Sequence, residues 1–167
     1  TRNVKKVFIS LDEGAWKELS SDLNWTEALL EKFQDKIDWQ ELSGNRNILW
    51  TIPMLQKFKH RINWDKLSRY ADEKVLTENC IETFKEKWNW NELSSNSVIT
   101  NELLDKFADK WDWEEIIYHS DLFSNHNATE FYERYKEYIP DAKLQDSSLW
   151  NEIVGQRKNQ IIAEITA

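Results

Sequence analysis

Four serines, Ser20, Ser43, Ser68 and Ser94, occupy one recurring position, each four residues after a tryptophan. A serine hydroxyl becomes a nucleophile when a neighbouring base takes its proton. The three histidines, His60, His119 and His126, keep no regular offset from these serines, so the pattern does not describe a hydrolase. Nor do the histidines describe a zinc site: His119 and His126 are seven apart, with no further Cys or His near them to complete a tetrahedral set. Glu31 with Asp35, and Asp105 with Asp109, stand at i and i+4, where two carboxylates on a helix could share proton-transfer work. Lys32, Lys36, Lys106 and Lys110 interleave with them, the pattern of a solvated helix face. A Gly-rich phosphate loop is absent from the sequence. Asn24-Trp25-Thr26 and Asn127-Ala128-Thr129 fit the glycosylation pattern, at places where helix caps are expected anyway. The expectation is a non-enzyme without catalytic residues, metal or cofactor.

Ten tryptophans in 167 residues suggest a stacking surface for sugars or bases. Aligning the chain on itself gives them a different role. Trp16, Trp39, Trp64, Trp90 and Trp113 fill one slot at steps of 23, 25, 26 and 23 residues. Trp88 and Trp111 share a slot with Ile37 and Ile62, and Trp25 and Trp50 share one with Leu76 and Ile99, so interior packing is expected for nearly all of them. Trp150 has no aliphatic counterpart.

The elements that carry these residues follow from the same alignment. Leu29-Leu30-Phe33, Met54-Leu55-Phe58, Cys80-Ile81-Phe84 and Leu103-Leu104-Phe107 have the three- and four-residue offsets of one helix face. Thr26, Thr51, Thr77 and Thr100 stand where an N-cap belongs, with Pro53 tolerated in the first turn. Asp38, Asn63, Asn89 and Asp112 cap a second, shorter α or 3₁₀ turn carrying the Trp and a Leu or Ile three residues on. Each unit thus pairs a helix of about eleven residues with one of about six. Such short helices are marginal alone and must lean on one another. The fold class expected is all-α: an α-solenoid of about five 23–28-residue units stacked along a common apolar seam.

Leu93-Ser94-Ser95-Asn96-Ser97-Val98-Ile99-Thr100-Asn101-Glu102-Leu103-Leu104-Asp105-Lys106-Phe107 resembles the leucine-rich variant repeats. That resemblance covers residues 16–140 and implies alternating α and short 3₁₀ helices; this chain departs from it in placing Trp at a slot usually small and aliphatic. The Asp-Trp-x-x-Leu-Ser units are also similar to those of uncharacterised Trp-rich repeat proteins from bacteria and large viruses. Neither resemblance implies an enzymatic activity.

Residues 1–15 are read as an N-terminal cap, with Ser10-x-x-Glu13 as a capping box opening the first helix. Residues 16–140 form the array and 141–167 a C-terminal cap, in which Leu149, Trp150, Ile153, Val154, Ile161, Ile162 and Ile165 predict a helix over 148–165. That helix closes the array or docks on a partner. No internal domain boundary is expected, and apolar runs too short for a bilayer lead to a cytoplasmic assignment. Cys80, the sole cysteine, sits in a slot filled elsewhere by Leu29, Met54 and Leu103 and reads as a buried apolar residue.

A net charge of −8, all of it carried by the array, disfavours nucleic acid and favours a neutral or basic protein partner. Residues that break the repeat are the candidates for binding it. Arg69 and Tyr70 in the third unit, and Tyr118, His119 and Phe123 in the fifth, are read as one aromatic, partly basic contact patch. The function expected is a non-catalytic protein-interaction scaffold. The alternatives are a regulatory or targeting domain of a larger enzyme, and a ligand or nucleic-acid binder using exposed Trp residues.

Overall fold

The computed structural model describes residues 2–167, with side chains from residue 4 onward. It is all-α: twelve helices and one 3₁₀ turn, and no strand among the described residues. Helix α1 spans Arg2–Asp22. Five pairs of short helices follow: α2 Glu27–Phe33 with α3 Trp39–Ser43, α4 Ile52–Phe58 with α5 Trp64–Tyr70, α6 Glu78–Thr83 with α7 Trp90–Ser94, α8 Asn101–Lys106 with α9 Trp113–Ile116, and α10 Ala128–Tyr135 with α11 Asp141–Leu144. The 3₁₀ turn Ser120–Leu122 precedes α10, and α12, Ser148–Thr166, ends the chain. Two compact units are present, Thr1–Glu92 and Leu93–Ala167, divided inside α7.

The caps form as the residue types dictate. Thr26, Thr51, Thr77 and Thr100 accept through their hydroxyls from the backbone N–H groups of Leu29, Met54, Cys80 and Leu103. Asp38, Asn63, Asn89 and Asp112 accept through a side-chain Oδ1 from the backbone N–H groups of Glu41, Lys66, Glu92 and Glu114. Two expectations are corrected. The Phe-bearing helices run six to eight residues rather than about eleven. They end early because one carbonyl near the end takes two donors: Phe33 O accepts from Lys36 and Ile37, and Phe58, Phe84 and Tyr135 do likewise, tightening the chain into the next turn. The Ser10-Glu13 capping box does not form, since both residues lie inside the unbroken α1. All this is achieved without a residue at positive φ among those described, which is why three glycines suffice.

In the first unit α1 packs on α3 and α3 on α5. Leu30, Leu42, Leu55, Leu67 and Ile81 are almost wholly buried in this unit, each contributing about 1.5–3 kcal/mol. Leu19, expected in the same seam, is instead 42% exposed, because nothing covers that face of α1. In the second unit α10 packs on α12, around Leu104, Ile116, Ile117, Phe123 and Leu149. The C-terminal helix forms as expected, but only Leu149 of it is buried; Val154, Ile161, Ile162 and Ile165 lie open, so its distal half closes nothing.

Candidate functional site

The recurring serines are wiring. Ser20 Oγ donates to the Trp16 carbonyl (2.6 Å) and accepts from the Asp38 N–H (3.0 Å). Ser43 repeats this with Trp39 (2.6 Å) and Asn63 (2.8 Å), and Ser68 with Trp64 (2.6 Å) and Asn89 (3.0 Å). In the second unit Ser94 accepts from Asp112 (2.8 Å). Each hydroxyl is buried and joins the end of one Trp-bearing helix to the start of the next; committed to these backbone groups, it is unfit as a nucleophile. Where the pattern breaks, it breaks on both sides: Ile117 takes the serine slot, and Pro140, which has no N–H to donate, takes the slot of Asp112.

Tryptophan does a second joining. The indole N–H of Trp39, Trp64, Trp90 and Trp113 donates to the carbonyls of Gln34, Lys59, Lys85 and Ala108, five residues back, at 2.8–2.9 Å. These carbonyls belong to the chain leaving the preceding helix, where acceptors lack helical partners. The rings meanwhile face forward: Trp16 on Phe33, Trp39 on Phe58, Trp64 on Phe84 and Trp113 on Tyr135, with centroids 4.9–5.6 Å apart. Five of the ten tryptophans are buried and five half-buried. Trp50 and Trp88 leave their buried N–H groups without a partner.

The carboxylates Glu31, Asp35 and Asp105 pair across helices, whereas Glu82, Glu133 and Glu164 pair locally with Lys85, Lys136 and Arg157. Lys57 reaches Glu27 (3.2 Å) and Glu31, and Arg61 reaches Asp35 (3.1 Å), so the cations come from α4 and its following turn rather than from Lys32 and Lys36. Glu31, foremost among the neighbours, raises the Lys57 pKa through its hydrogen bond. Lys32 and Lys36 lie instead over the rings of Phe33 and Trp16. In the second unit Asp105 holds the Arg134 guanidinium and accepts from the Tyr135 hydroxyl (2.7 Å), beside an open groove of about 410 Å³ that includes Asn101, His126 and Glu130. Burial, then this hydrogen bond, pushes the Tyr135 phenol up. With its oxygens so occupied, Asp105 offers no free base. Among the described residues no cluster of His, Cys, Asp and Glu could hold a metal ion. No helix of the described residues is long and apolar enough to cross a membrane. Cys80 is buried, and loss of hydration raises its thiol pKa to about 11.

The expected contact patch is divided. Arg69 and Tyr70 stand exposed in the first unit, Tyr118 exposed and His119 half-buried in the second. Phe123 is wholly buried against Phe131 (5.4 Å), a correction to its placement on the surface: the 3₁₀ turn folds the lengthened loop back, so that Leu122 and Phe123 enter the core. Arg69 grips Glu92 through Nε and Nη2, both at 2.6 Å. Beside it the Arg46 guanidinium lies 5.7 Å from the Tyr70 ring centre. Arg46 escaped sequence reasoning, though its signal was present: it follows the buried Asn45 and has no basic counterpart after Asn96.

Comparison with known proteins returned no match: no family model, curated protein or solved structure is significantly similar to the chain.

Proposed function

We propose that this chain is a non-catalytic protein-interaction scaffold, an α-solenoid of about five helix pairs whose recurring residues hold the stack and whose non-recurring surface residues meet a partner. What carries the reading is the state of the recurring groups: the buried serine hydroxyls and the forward-facing Trp rings join each helix pair to the next within both units. Chemistry that recurs is consumed internally. Among the surface left over in the first unit are Arg46, Tyr70 and Arg69, residue types that dominate interface energetics. The chain's net charge of −8 suits a neutral or basic protein rather than nucleic acid or a membrane. The absence of a fully exposed indole among the described residues weighs against a Trp-lined ligand surface.

Affinity capture from the native host, comparing the wild type with Arg46→Ala/Tyr70→Ala, tests the proposal. A protein captured by the wild type and depleted about tenfold or more with the variant supports it. Equal capture of every partner by both proteins, or none above background by either, refutes it.

A further inference from the structure

Two long helices carry apolar stripes that nothing in the chain covers. On α1, Val4, Phe8, Leu11, Ala15 and Leu19 recur at three- and four-residue steps, and all are exposed; Phe8 is 63% so. On α12 the half-buried Trp150 is followed by exposed Val154, Ile161 and Ile165, the last 78% exposed. Both helices also contain a mid-helix glycine, Gly14 and Gly155. A Cβ added at either would meet nothing within 4 Å, so packing within the chain requires neither. Glycine is a poor helix former, destabilising relative to Ala in a helix interior.

The two stripes match one another. Laid antiparallel, Val4 faces Ile165, Phe8 faces Ile161, Ala15 faces Val154 and Leu19 faces Trp150. In that register Gly14 and Gly155 fall at the same level, each on the flank of its stripe rather than at its centre. The charges agree too, since Asp12 faces Arg157 and Lys5 faces Glu164, while Leu11 faces the aliphatic stem of Lys158. We propose that α1 of one copy packs antiparallel against α12 of a second copy, joining chains head to tail. Pairing α12 with its own copy is disfavoured: its stripe is symmetric about Arg157 and Lys158, and an antiparallel pair would set those cations against each other. Because the contact uses two different surfaces, each copy has two faces to offer, and assembly closes as a reciprocal pair or ring or continues as a chain. This inference stands on surfaces separate from those of the proposed scaffold function.

Sedimentation velocity of the full chain across a concentration series tests it. The wild type is expected to self-associate, as a dimer or larger, as concentration rises. Phe8→Asp and Ile161→Asp, both at exposed positions, are each expected to stay monomeric alone. Mixed one to one, they are expected to form a dimer that grows no further, since each supplies the face that the other lacks. Asp12→Arg should weaken association roughly tenfold, and adding Arg157→Asp should recover most of that loss. A wild type that stays monomeric throughout, self-association surviving in Phe8→Asp, or a mixture of the two blocked variants that stays monomeric would each overturn the proposal.

Discussion

Replacing Ser43 by alanine removes one hydroxyl and breaks two bonds, to the Trp39 carbonyl and from the Asn63 N–H. The first is worth about 0.5–1.5 kcal/mol net, and stranding a largely buried N–H costs about 1–3 kcal/mol. Because Ser43 is 2% exposed, water cannot readily take the hydroxyl's place, and the total comes to about 1.5–4.5 kcal/mol. In urea, where slopes of about 1–3 kcal/mol per molar are typical, the unfolding midpoint should fall by about 0.5 M or more. Ser21→Ala is the control: that hydroxyl bonds the Glu18 carbonyl and Asp22 on the exposed side of α1, and its loss should cost less than about 0.5 kcal/mol. Amide exchange localises the effect, since the Asn63 N–H should lose protection in the Ser43 variant before the rest of its unit does. Equal stability of the two variants, with Asn63 exchange unchanged, would refute the joining role of the serines.

At Trp64, Phe retains the ring contact with Phe84 but loses the N–H bond to Lys59, so Trp64→Phe should cost about 1–2 kcal/mol and Trp64→Ala about 3–5 kcal/mol by denaturant unfolding. Thr51→Ala should cost about 1 kcal/mol in the same measurement, with Thr51→Ser near neutral, because the serine hydroxyl caps equally well. Cys80 should resist thiol reagents in the folded chain and react at the rate of opening. Its folded pKa of about 11 lies above the ordinary thiol value of 9.0, so the unfolded chain deprotonates first. The stability due to this thiol is therefore complete below pH 9 and falls as pH rises towards 11, a trend that Cys80→Ala should lack in a pH series of denaturant midpoints.

The local code of this fold was legible because it is written in short-range chemistry repeated several times. Thr caps such as Thr51, Asx caps such as Asp38, and the interchangeability of Trp88 with Ile37 each depend on a side chain and the few residues beside it. Partners twenty residues away were not legible. That Ser43 meets Asn63, or Lys57 meets Glu27, depends on how one helix pair lies on the next, and spacing along the chain does not encode it. Helix length was misjudged because the Trp N–H and the doubly used Phe carbonyl end the helix from outside its own propensity. The candidate site was half legible. Non-recurrence picked out Arg69, Tyr70 and Tyr118, all of which lie on the surface, but it also picked out Phe123, where an irregular loop serves the core. Non-recurrence marks departure from the repeat, and only burial separates a surface departure from an internal one.

The exception in the serine pattern offers the sharpest test of the rule. Pro140 occupies N-cap backbone geometry, φ −72° and ψ 119°, close to the −80° and 97° of Asp112, yet it makes no side-chain cap bond. Changing Pro140→Asp restores an N–H, and changing Ile117→Ser restores its acceptor. A double-mutant cycle on unfolding free energy measures whether the two restored groups find each other. A favourable coupling of about 1–2 kcal/mol is expected, with the new backbone amide at position 140 becoming protected from exchange only in the double variant. Strict additivity, with that amide exchanging freely in both backgrounds, would contradict the claim that these recurring hydroxyls hold successive helix pairs together.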